Sequence, residues 1–118
     1  MKTNNPVQIK SYQFALRIVR LYLFLRDKKR EYELSKQLLR SATSVGANVE
    51  EAIGAQSQKD FIHKLSIAYK EARETQYWIR LLSDSGIITS KESRSLLREC
   101  EELMKIIGSI LKTMKSKT

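Results

Sequence analysis

Leu34-Ser-Lys-Gln-Leu-Leu-Arg-Ser-Ala-Thr-Ser-Val-Gly-Ala-Asn-Val-Glu-Glu-Ala52 is a stretch with a helical apolar period and unusually small side chains. Leu34, Leu38, Val45, Val49 and Ile53 recur at the spacing of one helix face. This predicts a helix over 33–56. Between Ser41 and Ser57, ten of seventeen residues are Gly, Ala, Ser or Thr. Interior glycines at 46 and 54 each cost about 1 kcal/mol relative to Ala, so the helix is weak alone. The same small side chains let a neighbouring helix come close, and packing then offsets the lost propensity. The expected element is a continuous helix whose stability depends on partners.

Working outward, Ser57 with Asp60 three residues later has the form of a capping box and opens a helix over 58–85. Phe61, Leu65, Ala68, Ala72, Ile79 and Leu82 form its apolar face, with Ile62, Tyr69 and Thr75 beside it. Asp84-Ser85-Gly86 ends it, with Gly86 suited to the left-handed position after the cap. Thr89 and Glu92 make a second capping box, opening a helix over 90–114. Leu96, Leu97, Cys100, Leu103, Met104, Ile107, Leu111 and Met114 follow heptad-like spacing there. Upstream, a helix is expected over 11–26 with Ser11 as N-cap. Asp27-Lys28-Lys29-Arg30-Glu31 is a charged connection. Short connections between long helices place sequence neighbours antiparallel. The expected fold is all-α: one up-down-up-down four-helix bundle spanning 1–118.

The first helix carries more apolar surface than such a bundle buries. From Tyr12 to Leu25, eleven of fourteen residues are apolar or aromatic. Lys10, Gln13, Arg17 and Arg20 form one narrow polar strip, and a bundle helix needs an apolar stripe on one side only. A second protein surface is expected to cover the remainder, most simply another copy in a cyclic homo-oligomer. Tyr69, Tyr77 and Trp78 add side chains of the kind enriched at interfaces.

Composition excludes most chemistry. One cysteine (Cys100) excludes a disulfide framework and multi-cysteine metal sites, and one histidine (His63) excludes the paired Glu-x-x-His motifs of di-iron bundles. The four glycines form no phosphate-binding loop. The expectation is a non-enzyme without catalytic residues, metal or cofactor. No secretory signal pattern and no clean apolar span appear, so a cytoplasmic protein without a membrane partner is expected.

Charge supplies the functional expectation. The chain of 118 residues has 22 Lys and Arg against 13 Asp and Glu, a net +9. Residues 1–40 hold ten basic and three acidic side chains. Such a balance favours polyanions through salt-dependent phosphate contacts. Arg17, Arg20, Lys28, Lys29, Arg30, Lys36 and Arg40 are the candidate nucleic-acid contacts, with RNA favoured. No helix-turn-helix, zinc-finger or RNP-type motif is present, so contacts would be to backbone rather than bases. Two alternatives remain at this level, a protein-interaction scaffold and a ribosome-associated factor.

The segment 34–52, continued by Ser57-Gln-Lys-Asp-Phe-Ile-His-Lys-Leu-Ser-Ile-Ala-Tyr-Lys-Glu-Ala-Arg-Glu-Thr-Gln-Tyr-Trp78, resembles the bacterial four-helix-bundle family encoded within intervening sequences of 23S ribosomal RNA genes. Ser44-Val-Gly-Ala-Asn48 and Lys70-Glu-Ala-Arg-Glu-Thr75 carry the likeness most specifically, and it extends over roughly 10–112. The resemblance implies an antiparallel four-helix bundle assembling as a ring-shaped homopentamer. It also implies kinship with the accessory proteins of diversity-generating retroelements, basic pentamers that bind nucleic acid and partner a reverse transcriptase. It offers no catalytic residues to carry over.

Overall fold

Asn5 starts the first helix. Its side-chain oxygen accepts hydrogen bonds from the amides of Val7 and Gln8, at 3.1 and 3.2 Å, and Pro6 occupies the first turn. The computed structural model describes residues 5–117 and contains four α-helices: α1 (Pro6–Asp27), α2 (Leu34–Ile53), α3 (Gln58–Asp84) and α4 (Ser90–Ser116). No strand occurs among the described residues. The expected start at Ser11 is therefore corrected by more than a turn. Asn caps as well as Ser, and Pro presets φ for a first turn. Ser11 is buried inside α1, where its hydroxyl donates to the Gln8 carbonyl.

The other boundaries follow local chemistry. Ser57 Oγ accepts from the Asp60 amide at 3.0 Å, and Thr89 Oγ1 from the Glu92 amide at 3.1 Å, as the two capping boxes predict. Past the end of α3, Gly86 has φ +80°. The Gly86 amide donates to the Ser83 carbonyl and the Ile87 amide to the Leu82 carbonyl, which is the bond pair of a Schellman motif. α2 ends at Ile53 rather than at residue 56, with Gly54 as C-cap. Ile53, expected on the inner face, is exposed.

α2 has no hydrogen-bonding side chain at its N-cap, Glu33. Glu31 reaches over from the preceding connection instead. Its carboxylate accepts from the amides of Glu33, Leu34 and Ser35 at 3.1, 3.0 and 2.7 Å, and the Ser35 hydroxyl donates to the Glu31 carbonyl. Burial pushes this carboxyl up, but the three amide bonds outweigh it and leave the group below its ordinary value.

The helices close around one core. α2 meets α1 on one side and α3 on the other, and α4 closes the set against α3 and, more sparsely, α1. Gln8 reaches Glu50, Thr75 meets Ser41, Gln58 meets the Met114 carbonyl, and Lys10 reaches Glu102. Phe14, Ile18, Leu25, Leu38, Val45, Leu65, Ile79, Leu82, Leu96 and Ile107 are essentially solvent-free. A polar layer crosses this core, with Thr75 Oγ1 at 2.9 Å from Ser41 Oγ and 2.8 Å from the Glu71 carbonyl. Gly46 brings α2 against α1: a Cβ built there would sit 3.4 Å from the Ser11 carbonyl oxygen. No helix among the described residues is long and apolar enough to cross a membrane.

Candidate nucleic-acid interface

The seven candidate cations divide into two groups. Arg17 lies in the seam between α1 and α4, ion-paired with Glu92 at 3.2 Å and with Glu99. Lys10 pairs with Glu102 one seam position further along. Two of the four residues of the polar strip read on the first helix, Lys10 and Arg17, are thus engaged in intrachain pairs. Arg40 bridges α2 to α3 through Glu71 and Glu74. Glu74 also accepts from Trp78 Nε1 at 3.0 Å, and the Trp78 and Arg40 bonds together hold its carboxyl below the usual range. Arg17 and Arg40 therefore already have carboxylate partners, which a phosphate would have to displace.

Arg20, Lys28, Lys29, Arg30 and Lys36 are exposed and form no ion pair with a described residue. Four of them gather at the α1–α2 corner. Lys28, Lys29 and Arg30 occupy the connection, and Lys36 lies in the first turn of α2. Of the acids beside them, Asp27 is occupied by Arg26 at 2.8 Å, which holds the Asp27 carboxyl down, Glu31 is engaged by the amides at the start of α2, and Glu33 is exposed. Arg26 also lies 5.8 Å from the centroid of the Tyr22 ring. A shallow depression of about 350 Å³ is lined by Arg26, Asp27, Arg30 and the half-exposed Tyr32.

The backbone of this corner is held by hydrogen bonds on both sides of Arg30. Arg30 has φ 56°, uncommon for a side-chain-bearing residue. The Glu31 amide donates to the Leu25 carbonyl at 3.0 Å, and the Glu31 carboxylate grips the start of α2. The corner is therefore a braced basic loop. Sequence reading placed the cations but missed Glu31 as the brace and Tyr32 as the neighbouring ring. Glu31 and Ser35 stand four residues apart across the helix start, which is the visible trace of that contact.

A second feature lies on the outside of α1. Val7, Ser11, Phe14, Ile18, Leu21 and Leu25 face the core. On the opposite side, Ile9, Tyr12, Leu16, Val19 and Leu23 repeat at alternating steps of three and four. Ile9, Tyr12, Leu16 and Leu23 are 37%, 66%, 38% and 40% exposed, enough to make a continuous apolar stripe. Tyr77 is also exposed and packs edge-on to Trp78 at 5.0 Å.

The chemistry available is that of cations, rings and apolar surface. Cys100 is buried, its Sγ 3.3 Å from the Ala72 carbonyl, and burial pushes the thiol up to about 12. His63 is exposed on α3. No group of three or more His, Cys, Asp or Glu able to hold a metal occurs among the described residues.

The family model described as 23S rRNA-intervening sequence protein matches residues 3–109. A solved structure from Bacteroides thetaiotaomicron, a protein with unknown function from the S23 ribosomal protein family, is 50% identical. It aligns with 90% of this chain and 98% of its own, at a TM-score of 0.88. No curated protein matches the chain.

Proposed function

This chain belongs to the 23S rRNA-intervening sequence protein family, and from that premise we propose that it is a non-catalytic cytoplasmic bundle, antiparallel in its helix order, that assembles as a closed homo-oligomer and binds structured RNA through phosphate contacts. The observation that carries the RNA reading is the corner of exposed cations at Lys28, Lys29, Arg30 and Lys36, none of them ion-paired with a described residue, with Tyr32 at its edge. Such a corner offers several positive charges to phosphates at once and has no element to read bases, so binding is insensitive to sequence and steeply dependent on salt. Assembly rests on the outward α1 stripe, which a second copy would cover. Five copies is the number implied by the family resemblance. In a ring each corner is repeated, and weak contacts add along one RNA.

The test is fluorescence anisotropy with a labelled RNA hairpin at about 50 and 500 mM salt. Wild type binds at the lower salt and releases at the higher. Lys28→Glu with Arg30→Glu weakens binding at least about tenfold, while Lys70→Glu with Lys112→Glu, an equal charge change on α3 and α4, weakens it far less. Equal losses in the two variants remove the corner as the site. No binding at either salt removes RNA and favours a protein scaffold.

A further inference from the structure

The first half of α3 and the last half of α4 enclose a groove that the RNA reading does not use. One depression of about 400 Å³ has an almost wholly apolar floor at Tyr69, Gly108 and Leu111. A second, of about 480 Å³, lies one turn nearer the start of α3 at Ile62. Gly108 leaves room for the Tyr69 ring, which would lie 3.4 Å from a Cβ at that position. The rim consists of Lys70, Lys112 and Lys115 around the first depression and Lys59 and Lys117 around the second, with no acid in either lining. From Lys59 to Lys70 the groove follows about 16 Å of α3, the length of three helical turns.

The groove is too shallow to enclose a small molecule, which a ligand pocket must largely bury. Its apolar floor is a poor match for a sugar–phosphate backbone, and the one ring is already packed against Gly108. A second copy does not suit it either. The apolar stripe that a copy would offer is on α1, which has basic residues and no acid between Pro6 and Arg26. The carboxylates nearest that stripe, Glu92, Glu99 and Glu102 of α4, are already paired with Arg17 and Lys10, so a copy offers the lysine rim no free acid.

We propose that the α3–α4 groove docks an amphipathic helix of a different protein, with apolar residues at i, i+3, i+4 and i+7 against Ile62, Tyr69 and Leu111 and acidic residues toward the lysine rim. This is recognition of the helix-in-groove type, with charge setting partner choice. It gives the bundle two faces, a polar corner for RNA and a groove for protein.

The probe is a fluorescein-labelled stapled helix of about 12 residues, with leucines at those four positions and glutamates elsewhere. Binding is read by anisotropy and mapped by amide chemical shifts. The helix should bind wild type and shift amides within 58–73 and 105–117. Lys70→Glu with Lys112→Glu should weaken it about tenfold, and Ser66→Trp, which plugs the groove, should abolish it. Lys28→Glu with Arg30→Glu should bind it as wild type does, so failure of the RNA reading leaves this result standing. Unperturbed helicity by circular dichroism shows that the exposed-site variants fold. Absence of binding by wild type, equal binding by the plugged variant, shifts confined to α1, or equal binding of the same helix with lysines in place of glutamates overturns the proposal.

Discussion

Glu31 shows how one side chain outside a helix can control its start. Its carboxylate satisfies three amides that would otherwise face water or nothing. Glu31→Gln keeps the shape but loses charge-assisted acceptance, and should destabilise the protein by about 1 kcal/mol, read from urea melts at neutral pH. The sign with pH follows from the lowered carboxyl value. The contribution is fully present above the ordinary glutamate range near about 4.3 and is lost as pH falls through the lower folded value. The gap between wild type and Glu31→Gln should therefore close on acidification, and a gap that widens would deny the cap. This residue was hard to see in the sequence because it sits inside a charged run, where Glu, Lys and Arg usually just meet solvent. Ser57 and Thr89 were legible because capping boxes put acceptor and acid at a set spacing. Ser11 stands at the edge of the dense apolar run from Tyr12 and so reads as the cap, whereas Asn5 and Pro6, which open α1, lie ahead of that run.

At the scale of elements, α2 shows why small residues can strengthen a helix that propensity would weaken. Gly46 sits against the Ser11 carbonyl, and a single Cβ there makes contact without deep overlap. Gly46→Ala should be tolerated or slightly stabilising, because the helix gains propensity. Gly46→Leu should cost about 1–3 kcal/mol by forcing α1 and α2 apart. Thermal melts of the pair test this, and equal melting temperatures would mean that the helices do not meet there. The periods of α3 and α4 were readable because each has one apolar side. In α1 two apolar stripes run along opposite sides, so periodicity marked surplus surface without saying which stripe is inward. Packing resolves it: the stripe containing Phe14 and Ile18 enters the core, and that containing Leu16 and Leu23 stays outside. The seam role of Arg17 was hidden for a related reason, since its partners Glu92 and Glu99 are distant in the chain and on another helix.

At the scale of the whole molecule, the described body measures 47 by 27 by 22 Å, and its outer α1 stripe follows the long direction of a helix. Leu16→Glu with Leu23→Glu should reduce the light-scattering mass to that of one chain while leaving helicity unchanged. A monomeric wild type would sink the assembly proposal, and an unchanged mass in the variant would place the contact elsewhere. The distribution of charge was legible only as an excess near one end of the sequence. Which cations remain available depends on acids brought over from α3 and α4, and no local pattern announces that. Cys100, enclosed by α3 and α4 with its thiol held protonated, has one further consequence. The native chain should react only slowly with thiol-directed dyes, so a cysteine introduced at position 28 or 70 is expected to be the preferred attachment point. Energy transfer between labelled subunits can then report where neighbouring corners and grooves stand without first altering the core.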